Sequence, residues 1–176
     1  MALTQVTGDG LATSGLPTGA VLQVKSVTMT GSQSFAGTTF TDITDGTNAL
    51  SISITPTASS SKFLLYMMIN ASADNGGSRF AFRLFRDSTL IGNADTEGSR
   101  TPVAAAGQGS DSNAIDRNIS MIFLDSPATA SAVTYKVQGQ VESSSSNLLI
   151  NKSATNANNA TVYTATSSFT VMEVAG

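Results

Sequence analysis

The residues Phe63, Leu64, Leu65, Tyr66, Met67, Met68 and Ile69 are apolar without a break. Just before them, Leu50, Ile52 and Ile54 alternate with Ser51, Ser53 and Thr55. Alternation with period two marks a strand that has one face on a core and the other in water. An unbroken apolar run belongs to a segment that buries both faces, or to a helix. The helical alternative has signals of its own, with Ser61 at an N-cap position, Gly76 at C′ and good helix formers between. That helix would be apolar on every side, which a surface helix of a small domain cannot be. Lys62–Ala73 is therefore read as a strand. Each strand of a two-layer sandwich has only one face on the core. A strand apolar on both faces needs a second cover, and a copy of the same chain in a symmetric oligomer supplies it.

The rest of the chain repeats short apolar alternations between turn-forming clusters, the pattern of an all-β sandwich. Strands are expected near Val21–Met29, Phe35–Thr41, Ala49–Thr57, Lys62–Ala73, Arg79–Arg86, Ile119–Leu124, Val133–Glu142, Asn147–Asn151, Thr161–Ala165 and Ser168–Val174. Asp45-Gly46, Asn75-Gly76-Gly77 and Asp125-Ser126-Pro127 supply the turn chemistry between them. In Val133–Glu142 the residues Val133, Tyr135, Val137 and Val141 face one way and Lys136, Gln138, Gln140 and Glu142 the other. Gly139 falls on the inward register, where it marks a bulge or a close approach. Residues 99–116 and 151–159 read as long loops. Residues 1–18 read as an N-terminal attachment arm with too few apolar side chains for a domain, and 19–176 as the folded domain.

Several chemistries are excluded by what the chain lacks. It has no cysteine, so neither disulfides nor thiolate ligation is available. It has no histidine, which removes the usual neutral-pH general base and the commonest transition-metal ligand. Its nine Lys and Arg are scattered singly and the net charge is −3, which argues against a nucleic-acid or membrane surface. The amino terminus lacks the basic start and apolar stretch of a secretory signal, and no run approaches the ~20 residues needed to cross a bilayer. The expectation is a protein free in solution. Only 12% of residues are charged, about half the usual share.

Catalytic constellations are equally scarce. There is no Ser/His or Cys/His pair, no GxSxG, no nucleotide loop. Asp42 and Asp45 fall in a hairpin turn, Asp95 and Glu97 in one loop segment, and Asp111 and Asp116 in another. None has the aromatic platform that saccharide hydrolysis generally uses, so no enzyme, catalytic residue or cofactor is expected. DITDGTN could offer calcium the oxygens of Asp42, Asp45 and Asn48, but it lacks the acidic spacing and final Glu of a strong calcium loop. An ordinary Asp-Gly turn is preferred, and no metal is expected. Arg79, Arg83 and Arg86 are candidate partner contacts for acidic protein or glycan groups. Pairing with acids such as Asp87 or Glu142 is the plainer alternative. The sequons at Asn70, Asn118, Asn151 and Asn159 read as accidents of composition.

The segments SSSKFLLYMMINASADN, RFAFRLFRDSTLIGN, NISMIFLDSPATASAVTYKVQGQV and SSFTVMEV together resemble a trimeric jelly roll. The family is that of tumour necrosis factor and the complement globular head, in the form found in bacteriophage virion proteins. The start, MALTQVTGDGLATSGLPTGAVLQV, is similar to the amino termini of structural proteins of marine tailed phages. The resemblance implies a jelly-roll β-sandwich of about eight to ten antiparallel strands with an extended N-terminal arm. It implies a homotrimer in which Leu64, Tyr66 and Met68 meet the axis while Phe63, Leu65, Met67 and Ile69 fill the core. It further implies a capsid decoration or cement protein on the outer surface of the virion, its partner the major capsid protein. Attachment would run through the base and through Leu3, Val6, Leu11 and Leu16 of the arm. The alternative is a tail-fibre or receptor-binding tip contacting a host surface glycan or receptor through its loops.

Overall fold

The computed structural model describes residues 16–109, 117–155 and 157–176. Among them are twelve strands, numbered in chain order, and no helix. They form two six-stranded antiparallel sheets. The first holds β1 (Val21–Met29), β2 (Gln33–Ala36), β5 (Lys62–Ala73), β9 (Arg117–Asp125), β11 (Asn147–Ile150) and β12 (Ser167–Val174). The second holds β3 (Thr41–Asp42), β4 (Ser51–Ile54), β6 (Arg79–Arg86), β7 (Thr89–Ile91), β8 (Ala105–Gln108) and β10 (Val133–Val141). The chain is an all-β antiparallel sandwich.

The apolar run of the sequence is β5, the longest strand, and it organises the first sheet. Along one side it pairs with β12 from Lys62 to Met68 and with β11 from Ala71 to Ala73. Along the other it pairs with β9 from Phe63 to Ala71. Phe63, Leu65, Met67 and Ile69 point inward and are buried, as the alternation requires. They meet Phe80, Phe82 and Leu84 of β6 and Tyr135 and Val137 of β10 in one core. The Phe63 and Tyr135 rings lie 5.6 Å apart, and Phe80 and Phe82 meet edge to face at 5.9 Å. Each such side chain contributes about 1.5–3 kcal/mol by leaving water.

Gly139 resolves as a close approach and not a bulge, since β10 runs in unbroken register against β6. A Cβ there would sit 2.7 Å from Leu148 Cδ2, 2.8 Å from Ile43 Cδ1 and 3.0 Å from Phe82 Cε1. Several buried polar groups are paired inside the fold. Tyr135 donates its hydroxyl to Asp125 at 2.7 Å, and Arg86 Nη1 reaches both oxygens of the same carboxylate at 2.7 and 2.8 Å. Asn151, buried and with φ of 61°, donates to the carbonyls of Met29 and Gly31 and accepts from Ser167. Asparagine tolerates that left-handed backbone better than most residues.

Where β1 passes β4, no ladder forms, and side chains join the sheets instead. Lys25 Nζ donates to the Ser53 carbonyl and Gln23 Nε2 to the Thr55 carbonyl, each at 2.8 Å. Covering an edge in this way blunts strand addition from outside.

Four expectations need correction. Thr161–Ala165 is no strand: Asn159 caps a turn there by accepting from Thr161 N, and Ala165 N bonds Asn151 O. Phe35–Thr41 is broken at Gly37, with φ of 94°, into the separate β2 and β3. Thr89–Ile91 was not expected as a strand, yet it forms β7 across a tight turn at Asp87, with φ of 53°. Ala105–Gln108, expected within a long loop, pairs with β6 as β8. The strand count is thus twelve instead of eight to ten.

Candidate interaction surfaces

The inward half of β5 fills the core, so its other half stands outside. Leu64, Tyr66 and Met68 lie on the outer face of the first sheet, as the alternation predicts. The register continues that face across four strands. Val24, Met172, Leu64 and Leu124 form one row; Ser26, Thr170, Tyr66 and Ile122 the next; Thr28, Ser168, Met68 and Ser120 the third. None of these twelve side chains is charged. Ile122 is 65% exposed, Val24 54%, Leu124 51% and Tyr66 37%. Scattered exposed apolar residues are ordinary, but a contiguous apolar patch marks an interaction surface.

The sequence reading found β5's share of this face and missed Ile122, Leu124, Val24 and Met172. The signal for two of them was present. Met121-Ile122-Phe123-Leu124 is an unbroken apolar run like that of β5, and only its inward residues Met121 and Phe123 pack on the core. Val24 is a single apolar residue between Gln23 and Lys25, and Met172 follows the inward Val171 with no longer apolar run to mark it. Only the register places them beside Leu64.

The outer face of the second sheet is unlike the first. Arg79 and Arg83 stand on it, while Arg86 turns inward to Asp125. Arg79 pairs with Glu142 at 3.0 Å. Arg83 lies over the Phe40 ring, 4.0 Å from its centroid, and donates Nε to the Pro102 carbonyl. All three arginines therefore have intramolecular partners. The pairing alternative holds for Arg79 with Glu142, whereas Arg86 takes Asp125 and not Asp87. Asp87 instead accepts from the backbone N–H of Thr134. Between Arg79, Gln140 and the segment 100–103, a cleft of about 420 Å³ opens over Ala81 and Ala106.

In the DITDGTN loop both aspartates are engaged by the protein's own donors. Asp45 accepts backbone N–H bonds from Asn48, Thr47 and Gly31. Those from Asn48 and Thr47 lead in holding its carboxyl below the usual range. Asp42 is engaged by Lys136 and Gln138. Among the described residues no three acidic side chains gather to hold a metal. Glu97 pairs with Arg100, while Asp111 and Asp116 lie outside the described residues. The sequon residues Asn70, Asn118 and Asn151 have their side-chain amides in internal hydrogen bonds. The Tyr135–Asp125–Arg86 group is closed to solvent around Tyr135, whose hydroxyl is pushed far up by burial and then by Asp125.

Leu3, Val6 and Leu11 of the arm lie outside the described residues. Leu16 is half-buried and helps line a cleft of about 300 Å³ with Leu22, Thr57 and Ala58. The chain enters the sandwich there, beside its own carboxyl end, where Gly19 N donates to Ala175 O and Ala175 N to Ala20 O. Nearby Glu173 is buried and accepts from Gln23 and from the backbone and hydroxyl of Thr57. Burial alone would raise its carboxyl, but the Ser61 side chain together with these donors outweighs it and holds the group below its ordinary value. No helix among the described residues is long and apolar enough to cross a membrane. No protein-family model matches the sequence, and a comparison with curated proteins finds no significant match.

Proposed function

We propose that this chain is a structural subunit of a virion, a homotrimeric jelly-roll protein that decorates and cements the outer surface of a capsid. The observation that carries the assembly half of this reading is the contiguous apolar patch of Val24, Met172, Leu64, Leu124, Tyr66 and Ile122 on the outer face of the first sheet. Such a face is matched by another like itself, and a closed symmetric oligomer buries it without leaving a copy exposed. Leu64, Tyr66 and Met68 contribute to the contact, joined by Ile122 and Leu124 of the neighbouring strand. The arm and the base hold the coat lattice through many modest contacts, and multivalency makes such attachment tight. The location on a capsid rests on the resemblance of the sequence to phage structural proteins.

A tail-fibre or receptor-binding role is the second reading, favoured by the ligand-sized cleft on the other sheet. Two measurements separate these readings. Size-exclusion chromatography with light scattering is expected to give a trimer, and a monomer at micromolar concentration sinks the assembly claim. Quantitative mass spectrometry of purified particles is expected to give hundreds of copies per particle. A few copies would move the protein to the tail.

A further inference from the structure

The cleft over Ala81 and Ala106 exists because the outward positions of β6 and β8 are short there while everything around them is long. Arg79 and Arg100 stand at its rim, Gln140 and Glu142 along the β10 side, and Thr101 and Val103 along the other. The wall of residues 100–103 is pinned over the sheet. Ala94 N donates to Val103 O, Ala104 N to Phe82 O and Arg83 Nε to Pro102 O. The shape is therefore built into the fold, at a volume typical of small-ligand sites.

We propose that this cleft binds an acidic saccharide, with a sugar carboxylate held by Arg100 and Arg79 and ring hydroxyls by Gln140, Thr101 and Glu142. Among the described residues each of the two guanidiniums makes one salt bridge, Arg79 to Glu142 and Arg100 to Glu97. Each has five N–H donors, so donors remain for a carboxylate. Their side chains are 73% and 74% exposed and can reach an incoming ligand.

Glu142 narrows the ligand class. Its carboxyl is held below the usual range by the Arg79 backbone N–H and guanidinium, so it is an acceptor only. It repels a doubly charged phosphate and welcomes a hydroxyl. A sugar ring carrying one carboxylate and several hydroxyls, as each residue of a uronic acid oligomer does, satisfies both demands. The floor of Ala81 and Ala106, with Val103 on the wall beside it, offers methyl groups to the C–H face of a pyranose ring. The site lies on the sheet opposite the proposed assembly face, and this inference does not rest on that assembly.

The test is ¹⁵N–¹H correlation spectroscopy of the full chain titrated with trigalacturonate. Saturable shifts are expected at the amides of Ala81, Thr101 and Ala106. The methyl-esterified trisaccharide, and Arg100→Gln with the free acid, are each expected to bind about tenfold more weakly, the scale of one charge-assisted hydrogen bond. Ala106→Leu fills the floor from the solvent side and is expected to abolish the shifts while the rest of the spectrum stays native. Absence of saturable shifts, or equal binding of acid and ester, overturns the proposal. Tighter binding of a hexaglutamate peptide at the same amides assigns the cleft to acidic polypeptide and equally overturns it. Neither result bears on whether the chain forms a trimer.

Discussion

Tyr66 of β5 and Ile122 of β9 stand directly opposite each other on the face of the first sheet that turns away from the core. Cross-strand neighbours in that position share one patch of surface. Replacing either by aspartate places a charge in the middle of the patch without touching the core. Tyr66→Asp and Ile122→Asp are each expected to give a folded monomer by light scattering with an unchanged far-ultraviolet circular dichroism spectrum. Leu90→Asp, at an exposed position of the other sheet, is the control and leaves assembly intact. A Tyr66→Asp protein that stays trimeric removes the outer face from the interface.

Asp125 is the one acceptor shared by the buried Tyr135 hydroxyl and by Arg86. Asp125→Asn leaves the guanidinium without its counter-charge and is expected to cost about 3–5 kcal/mol. Tyr135→Phe removes one donor while Arg86 still satisfies the carboxylate, and is expected to cost about 1 kcal/mol. Urea denaturation measures both. A smaller loss for Asp125→Asn than for Tyr135→Phe contradicts the shared-acceptor arrangement.

Glu173 has a folded-state carboxyl lowered below its ordinary value of 4.5. A lowered acid contributes stability that is present above the unfolded value and is lost as pH falls through the folded one. The thermal midpoint of the wild type is therefore expected to fall on acidification below about pH 4.5, in part through this group. Glu173→Gln is expected to lower the midpoint at pH 7 and to flatten the acid limb. Parallel acid limbs for the two proteins would remove Glu173 from that role.

Gly139 leaves no room for a methyl group between Leu148, Ile43 and Phe82. Gly139→Ala is expected to destabilise by about 1–3 kcal/mol through overpacking. A neutral result in urea denaturation would mean that the two sheets can separate locally at little cost.

How much of this was legible in the sequence depended on how local the cause was. Lys62–Ala73, Arg79–Arg86 and Val21–Met29 were bounded correctly because alternation, β-branched or aromatic content and flanking turn residues all agreed. The small β8 had no such signal. Ala105-Ala106-Gly107-Gln108 looks like loop, and it is a strand only because the edge of β6 offers it a ladder. Thr161–Ala165 erred the other way: β-prone residues there are held in a turn by Asn159. The outer face was half visible. β5 declared its second face in its own run, whereas the rows joining Val24 to Met172 and Leu124 exist only once the register is set. The cleft was invisible for the same reason, being assembled from three strands and the segment that leads into one of them.

The pairing of β1 with β12 joins residues 21–29 to residues 167–174, almost the full length of the chain apart. Closing so large a loop brings late reward for an early entropic loss, which is why non-local β topologies fold in milliseconds to seconds. During synthesis β1 has no ladder until β12 leaves the ribosome. For that interval Met29 and the β5 strip beside the missing β12 are uncovered, and Lys25 and Gln23 have no fixed edge to stitch. The commitment to the native fold thus waits on β12, and removing that strand forfeits the ladder of β1.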